Sequence, residues 1–252
     1  MINGSVVGTS HEKRGEPCQD YCHAIVIGSD ESPILIAACA DGAGSSAFAQ
    51  AGSKIACLAF VRAASFALEK GLVSQNIERA TILKWYDEAR RHLSLEACIR
   101  NSELREFACT LLTAIVTESR CVFSQIGDGA IIVRDSTGYR SIFWPQSGEY
   151  ASTTFFLTGG DFERHIECAI TTDTINTLAI ITDGLQPLAL HFATRSVHEL
   201  FFDPMFEALQ NTANPEDLEL PLRQFLASQP VCERTDDDKT LLLAARRPHE
   251  LP

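Results

Sequence analysis

Five aspartates stand in punctuated settings along the chain: Asp20, Asp41, Asp128, Asp183 and Asp237. Three of them close an apolar run. Ile34–Ala40 reads Ile-Leu-Ile-Ala-Ala-Cys-Ala and stops at Asp41, with Gly42 and Gly44 behind it. Ala179-Ile180-Ile181-Thr182 leads into Asp183-Gly184, and Asp128 sits in Gly127-Asp128-Gly129 after Cys121–Ile126. Asp236, Asp237 and Asp238 stand immediately before the apolar run Thr240–Ala245. A short acid at a strand end is held by the sheet yet can reach a cleft, so several on adjacent strand ends can converge. Such a cluster repels itself unless protons or cations neutralise it. Oxygen ligands with no accompanying His or Cys select Mg²⁺ or Mn²⁺ over zinc. Against this, Asp-Gly is a common turn dipeptide, and each acid taken alone reads as a turn residue, Asp128 most of all. The triple aspartate likewise reads as a solvated loop. Repetition of an acid directly after a buried apolar run favours chemistry.

The elements that must hold these acids follow from periodicity. Ile34–Ala40 has no polar position alternating with the apolar ones, which suits a strand buried on both faces. Upstream, Ser5–Thr9 and Cys22–Gly28 read as short strands, with His11–Pro17 a polar loop and a turn at Ser29–Pro33. From Ser46 the spacing of Phe48, Ala51, Ile55 and Leu58 is helical, with Ser45 or Ser46 as N-cap and an end near Gly71. A second helix covers roughly Gln75 to Arg100. Cys109–Thr117 and Cys121–Ile126 are β-branched-rich and separated by a hairpin-length link. Ala130–Arg134, Tyr139–Phe143, Phe155–Thr158, His165–Thr171, Asn176–Thr182 and Thr240–Ala245 read as further strands. Ser196–Gln210 and Pro215–Ser228 read as helices, the first kinked or divided at Pro204, the second with Pro215 in a favoured first-turn position. Strands joined by hairpin-length links, with helices in blocks, predict an α+β fold of antiparallel sheets covered by helices. No composition break or repeat divides the chain, so residues 1–252 read as one domain.

Composition narrows the function classes. The 252 residues suffice for a substantial core, with 45% hydrophobic and 21% charged residues. A formal net charge of −12, with basic residues clustered no further than pairs, argues against nucleic acid as a partner and suits a site that gathers cations. No run approaches the roughly 18–20 apolar residues of a membrane span. The N-terminal Met-Ile-Asn-Gly-Ser lacks the regions of a signal peptide. The expectation is a cytoplasmic protein with no membrane partner. Nine cysteines without a Cys-x-x-Cys pair indicate neither a disulfide framework nor a zinc site, and read as reduced, largely buried residues.

Taken together, these motifs make the chain resemble the PP2C-like metal-dependent protein phosphatases, in particular a compact bacterial branch. The resemblance runs from about Gly8 to Leu243. It is carried by Gly8-Thr9-Ser10-His11 with Pro17-Cys18-Gln19-Asp20, Ala40-Asp41-Gly42-Ala43-Gly44, Ile126-Gly127-Asp128-Gly129, Gly148-Glu149-Tyr150, Ile181-Thr182-Asp183-Gly184 and Asp237-Asp238-Lys239-Thr240. It implies a sandwich of two antiparallel sheets with helices on both outer faces and metals in a cleft at one end. Asp41 would bridge two Mg²⁺ or Mn²⁺ ions, the Gly42 carbonyl would bind one of them, and Asp183 and Asp237 would complete the other. Asp128 with Asp183 would hold a third ion, and Asp20 would act through metal-bound water. The implied activity is hydrolysis of phosphoserine and phosphothreonine monoesters in proteins by an activated water, opposing a serine/threonine kinase. Residues 145–161 would form a flap beside the cleft.

The chain also departs from that family. Gln19 stands where many relatives have an acid, which lowers the local negative charge. Ala43 replaces a histidine that eukaryotic relatives place after Asp-Gly. The phosphate-binding arginine expected before Gln19 has no match near Gly15; Arg14, Lys13 or His11 are the substitutes, with His11 reading equally as an ordinary loop histidine. These departures feed an alternative of another class, a catalytically weak domain that binds phosphoproteins or regulates partners. Retention of Asp41, Asp183 and Asp237 speaks against it.

Other chemistries fail on residues. Gly42-Ala43-Gly44-Ser45-Ser46-Ala47 matches a relaxed dinucleotide fingerprint, but Asp41 would face the pyrophosphate and no second strand ending in an acid follows. No cysteine has an arginine six positions later, and Gly-x-Ser-x-Gly is missing.

Overall fold

The computed structural model describes residues 1–146 and 154–246. In chain order these form β1 (Ile2–Val6), α1 (Thr9–Arg14), β2 (Tyr21–Ser29), β3 (Ser32–Ala40), α2 (Ala49–Glu69), α3 (Arg79–Ile99), β4 (Leu111–Val116), β5 (Cys121–Ile126), β6 (Ala130–Asp135) and β7 (Gly138–Ser141). There follow α4 (Phe162–His165), β8 (Glu167–Thr171), β9 (Thr177–Ile181), α5 (Gln186–Ala189), β10 (Leu190–His191), β11 (Ser196–Val197), α6 (Glu199–Asn211), α7 (Glu219–Leu226), α8 (Gln229–Cys232) and β12 (Lys239–Ala245).

Ten strands make two antiparallel five-stranded sheets, ordered β1-β12-β9-β6-β7 and β2-β3-β4-β5-β8; β10 and β11 pair separately. The unbroken apolar runs have a direct explanation in this layering. Along β3, Ile36, Ala38 and Ala40 face α2 and α3, while Ala37 and Cys39 face the other sheet. Along β9, Ala179 and Ile181 face α6 and α7, while Leu178 and Ile180 join the inter-sheet core. β12 divides in the same way, Leu241 and Leu243 outward and Leu242 inward. Every side of these strands is dry, so alternation disappears from the sequence. The fold is therefore the helix–sheet–sheet–helix arrangement expected.

Several boundaries differ from the sequence reading. The first strand lies earlier, over Ile2–Val6, because its partner is β12, with Ile2 opposite Leu243 and Val6 opposite Lys239. Residues 9–14, expected in a loop, form α1, which ends at Gly15 in the left-handed region (φ 69°) and carries Lys13 and Arg14 in its last turn. α2 begins at Ala49, with Phe48 at the cap; the Ser46 hydroxyl instead donates to the Arg105 carbonyl at 3.0 Å. Residues Ser74–Asn76 are a separate turn before α3. Phe155–Thr158 is not a strand: Leu157 is driven into the helix-side core, and its N–H donates to the Cys109 carbonyl at 2.9 Å. α6 runs undivided through Pro204. Pro215 opens a short turn, Pro215–Leu218, and α7 follows it. α2 alone among the described helices has the length and mean hydropathy, 1.4, of a membrane span; here Ala56, Phe60 and Ala64 pack it onto the sheet and α3.

Candidate metal centre

Both sheets send strand ends to one edge of the sandwich. Asp41 follows the last residue of β3, Asp128 occupies the turn from β5 to β6, Asp183 follows β9, and Asp237 precedes β12. Cross-strand pairing fixes their mutual position: Ala130 of β6 and Leu241 of β12 both face Ile181 of β9. The outcome is a carboxylate cluster. Oxygens of Asp41, Asp128 and Asp183 lie within 4.8 Å of one another. Asp237, Gly42, His11 and Arg14 line the same cleft, of about 620 Å³.

The backbone around the cluster leaves no room for substitution at two glycines. A Cβ on Gly42 would sit 2.6 Å from the Ala49 carbonyl oxygen and 2.8 Å from that of Gln19, so the loop after Asp41 must pass as bare backbone. A Cβ on Gly184 would fall 1.9 Å from the Asp238 carbonyl oxygen, which locks the Asp183 turn against the start of β12.

Electrostatics follow from burial and crowding. Burial, then the charges of Asp20 and Asp183, holds Asp41 well above the usual carboxylate range. Asp183 is pushed up to about 8 by burial and by the neighbouring Asp128, Asp237 and Asp20 carboxylates. Burial also raises Asp128, against the bond it accepts from Thr154 Oγ1 at 2.6 Å, and its Oδ1 is buried with no hydrogen-bond partner. Gln186 Nε2 donates to the Asp128 carbonyl and so holds the turn. An ion-free cluster of this kind keeps protons that ionised carboxylates would lose. An all-oxygen donor set with an orphaned buried Oδ1 fits a hard divalent cation.

Asp20 stands behind Asp41 rather than in the cleft wall. It is 5% exposed, accepts a 2.7 Å bond from Thr182 Oγ1 and shares a hydrogen bond with Asp41; burial pushes it up to about 7. His11 is buried too, its Nδ1 2.9 Å from Asp238 Oδ1 though off hydrogen-bond alignment. Arg14 is half exposed, with Nε 2.8 Å from Glu16 Oε2.

The sequence motifs include Asp238 but assign it no role. Its carboxylate, 2% exposed, accepts from the Gly8 N–H at 2.6 Å and from the Gln19 N–H at 2.5 Å. It ties the Asp20 segment and α1 to β12, a positioning role. The signal was present in Asp236-Asp237-Asp238, whose alternating directions put Asp237 in the cleft and Asp238 beneath it. Thr154, which orients Asp128, carried no sequence signal, and Thr182, which orients Asp20, stood in the sequence only as a member of the Ile181-Thr182-Asp183-Gly184 motif. Gly148, Glu149 and Tyr150, and with them the centre of the expected flap, lie outside the described residues.

Comparison with known proteins bears on this geometry. Residues 7–227 match the family model described as protein phosphatase 2C. Serine/threonine-protein phosphatase 3 of Escherichia coli (strain K12) is 37% identical over 248 residues, covering 97% of each chain. In fold, the chain is similar to the serine/threonine phosphatase Stp1 from Staphylococcus aureus, with TM-score 0.65 at 16% identity over 98% of this chain and 96% of that one. It is also similar to a bacterial serine phosphatase, with TM-score 0.62 at 15% identity over 99% and 98% of the two chains.

Proposed function

The chain belongs to the protein phosphatase 2C family and is a protein phosphatase, and from that premise we propose that it hydrolyses phosphoserine and phosphothreonine with Asp41, Asp128, Asp183 and Asp237 as its cation-holding set. The observation that carries the reading is the convergence of Asp41, Asp128 and Asp183 within 4.8 Å from strand ends of both sheets. The family is metal-dependent, and two or three Mg²⁺ or Mn²⁺ ions are the cofactors we assign.

Divalent cations held by these oxygens would supply a nucleophilic hydroxide at neutral pH and neutralise phosphoryl charge. The chain's own residues divide the remaining work. Asp41, in the loop after β3, reaches the cleft from one sheet, and Asp183 and Asp237 reach it from the other. The Gly42 carbonyl is a further oxygen donor beside Asp41. Asp20, held by Thr182 and linked to Asp41, fixes the orientation of the Asp41 carboxylate and is the proton-holding neighbour of the site. Arg14 is the substrate-phosphate contact we favour, because it is exposed at the rim and its partner Glu16 is a surface pair that a dianionic phosphate outcompetes. His11, buried against Asp238, supports α1 and thereby Arg14.

The complete carboxylate set favours turnover over a phosphoprotein-binding module. We read residues 1–252 as one catalytic unit, located in the cytoplasm and paired with a serine/threonine kinase that supplies its substrates. The test is hydrolysis of an aryl phosphate and of a phosphothreonine peptide by purified protein. Activity with Mn²⁺ that disappears with chelator is expected; activity unchanged by chelator overturns the metal assignment.

A further inference from the structure

Beside the aspartate cleft lies a second groove, of about 500 Å³, that none of the proposed chemistry uses. Ala43, Ser45, Thr154 and Phe156 line both spaces, so the groove opens directly from the reaction site. Its walls are Ala43 and Ala108 on one side and the rings of Phe155, Phe156 and Phe162 on the other.

This second wall is preformed. Leu157, fully buried, anchors it to the core, and its N–H donates to the Cys109 carbonyl at 2.9 Å. Arg90 Nη2 donates to the carbonyls of Thr158 and Gly159, both at 3.2 Å, while its guanidinium lies 5.1 Å from the Phe162 ring centre. Phe155 stacks on His165 with centroids 3.7 Å apart and planes 12° apart. Rigid aromatic walls lose little conformational entropy when they are covered.

The charges at the rim stand in oppositely charged pairs on the exposed surface. Arg105 Nε is 2.9 Å from Glu103 and 3.5 Å from Glu106, and His165 Nε2 is 3.2 Å from Asp161. Inside that rim the groove offers an incoming chain mainly apolar surface, interrupted by Ser45, Ser46, Thr154 and Thr158. A phosphoresidue seated at the aspartates has its neighbours in sequence within reach of this space.

We propose that the groove between Ala43/Ala108 and Phe155/Phe156 receives an apolar side chain that flanks the phosphoserine or phosphothreonine of the substrate. The protein then selects substrates by that residue. The inference rests on the phosphatase reading above.

The test uses the full chain with Mn²⁺ and a phosphothreonine peptide in an alanine background, with Leu, Phe, Glu or Arg placed in turn at each of the flanking positions. Leu or Phe at one position should raise kcat/KM about ten-fold or more, the scale expected from burying one such side chain. Phe155→Ala should lower the ratio of Leu-peptide to aryl-phosphate kcat/KM to that of the alanine peptide. Thr158→Trp, which fills the groove from a half-exposed position, should do the same without hollowing the wall. Equal rates across the peptide series, a preference for Glu or Arg, or an apolar preference that survives in both variants overturns the proposal. Aryl-phosphate turnover with no peptide discrimination sinks the groove alone; absence of any phosphate hydrolysis sinks the phosphatase reading with it.

Discussion

Asp128 shows how little a single residue announces in sequence. Flanked by two glycines it has the composition of a turn, and it is in a turn; it is also one of the three carboxylates that meet within 4.8 Å. Turn and ligand are not alternatives when the turn joins strands of different sheets, but only the tertiary pairing reveals that. Asp41 and Asp183 were more legible because a buried strand delivers each of them to an edge. Arg14 and His11 were legible as basic residues near the site, not as the exposed pair and buried support that they form. The charge cluster allows a prediction with two readouts. On the proposed assignment, replacing a carboxylate with its amide removes an anionic metal ligand and also removes a source of repulsion. Asp183→Asn should therefore reduce Mn²⁺-dependent turnover by about 100-fold or more, at least the loss seen when supporting groups around a metal are deleted. In chelator-treated protein at pH 8.5 the same variant should melt higher than the parent, because Asp128, Asp237 and Asp20 no longer oppose an ionised neighbour. A lower melting temperature there, or activity near the parent's, contradicts the ligand assignment.

At the scale of elements, the strands were read well and the connections poorly, and the reason is physical. Strands such as β3, β9 and β12 carry apolar residues on both faces, a pattern that no loop can carry without exposing it. α1 and the 154–161 segment owe their shape to partners far away in sequence. Asp238 captures the Gly8 and Gln19 N–H groups, and Leu157 sinks into the core beneath α2 and α3. Propensity in a short window holds no trace of either contact. The junction between the Asp183 turn and β12 is the tightest such contact in the site. Gly184→Ala would drive a methyl group into the Asp238 carbonyl, and backbone at both sides has to shift. The expected cost is about 1–3 kcal/mol of stability, accompanied by weaker Mn²⁺ binding because Asp183 and Asp237 move apart. Gly160→Ala, with nothing within 4 Å of the added atom, is the control and should be nearly silent in both measurements. Equal effects from the two substitutions, in chemical denaturation and in Mn²⁺ titration, would remove the argument for a locked turn.

The whole molecule stores electrostatic strain at one edge and relies on its layers to hold it. Three apolar layers of core, outside each sheet and between them, set the strand ends in register, and a net charge of −12 enriches cations around the chain. The fold class was legible because the layering shows in hydrophobic pattern; the depth at which each acid is buried was not, since it depends on both sheets at once. That burial has a consequence for the protein's stability. Without cations, burial above all pushes Asp20 up to about 7 and Asp183 up to about 8. Below pH ~4 the folded and unfolded chains hold these protons alike, and the stability they contribute is fully present. From there up to about 7 for Asp20 and about 8 for Asp183, the unfolded chain has released the proton while the folded chain keeps it, so stability falls as pH rises, by at most about 1.4 kcal/mol per pH unit for each retained proton. Above 8 the loss is complete. On the proposed assignment a divalent cation would replace the protons as the neutralising charge and bind the folded form, so its stabilisation would grow as pH rises. Chelator-treated protein should therefore melt progressively lower from pH 5 to 8.5, and excess Mn²⁺ should flatten or reverse that decline. A melting temperature independent of pH in chelator, with no growing increment from Mn²⁺, would mean that the aspartates do not share a buried, cation-seeking site.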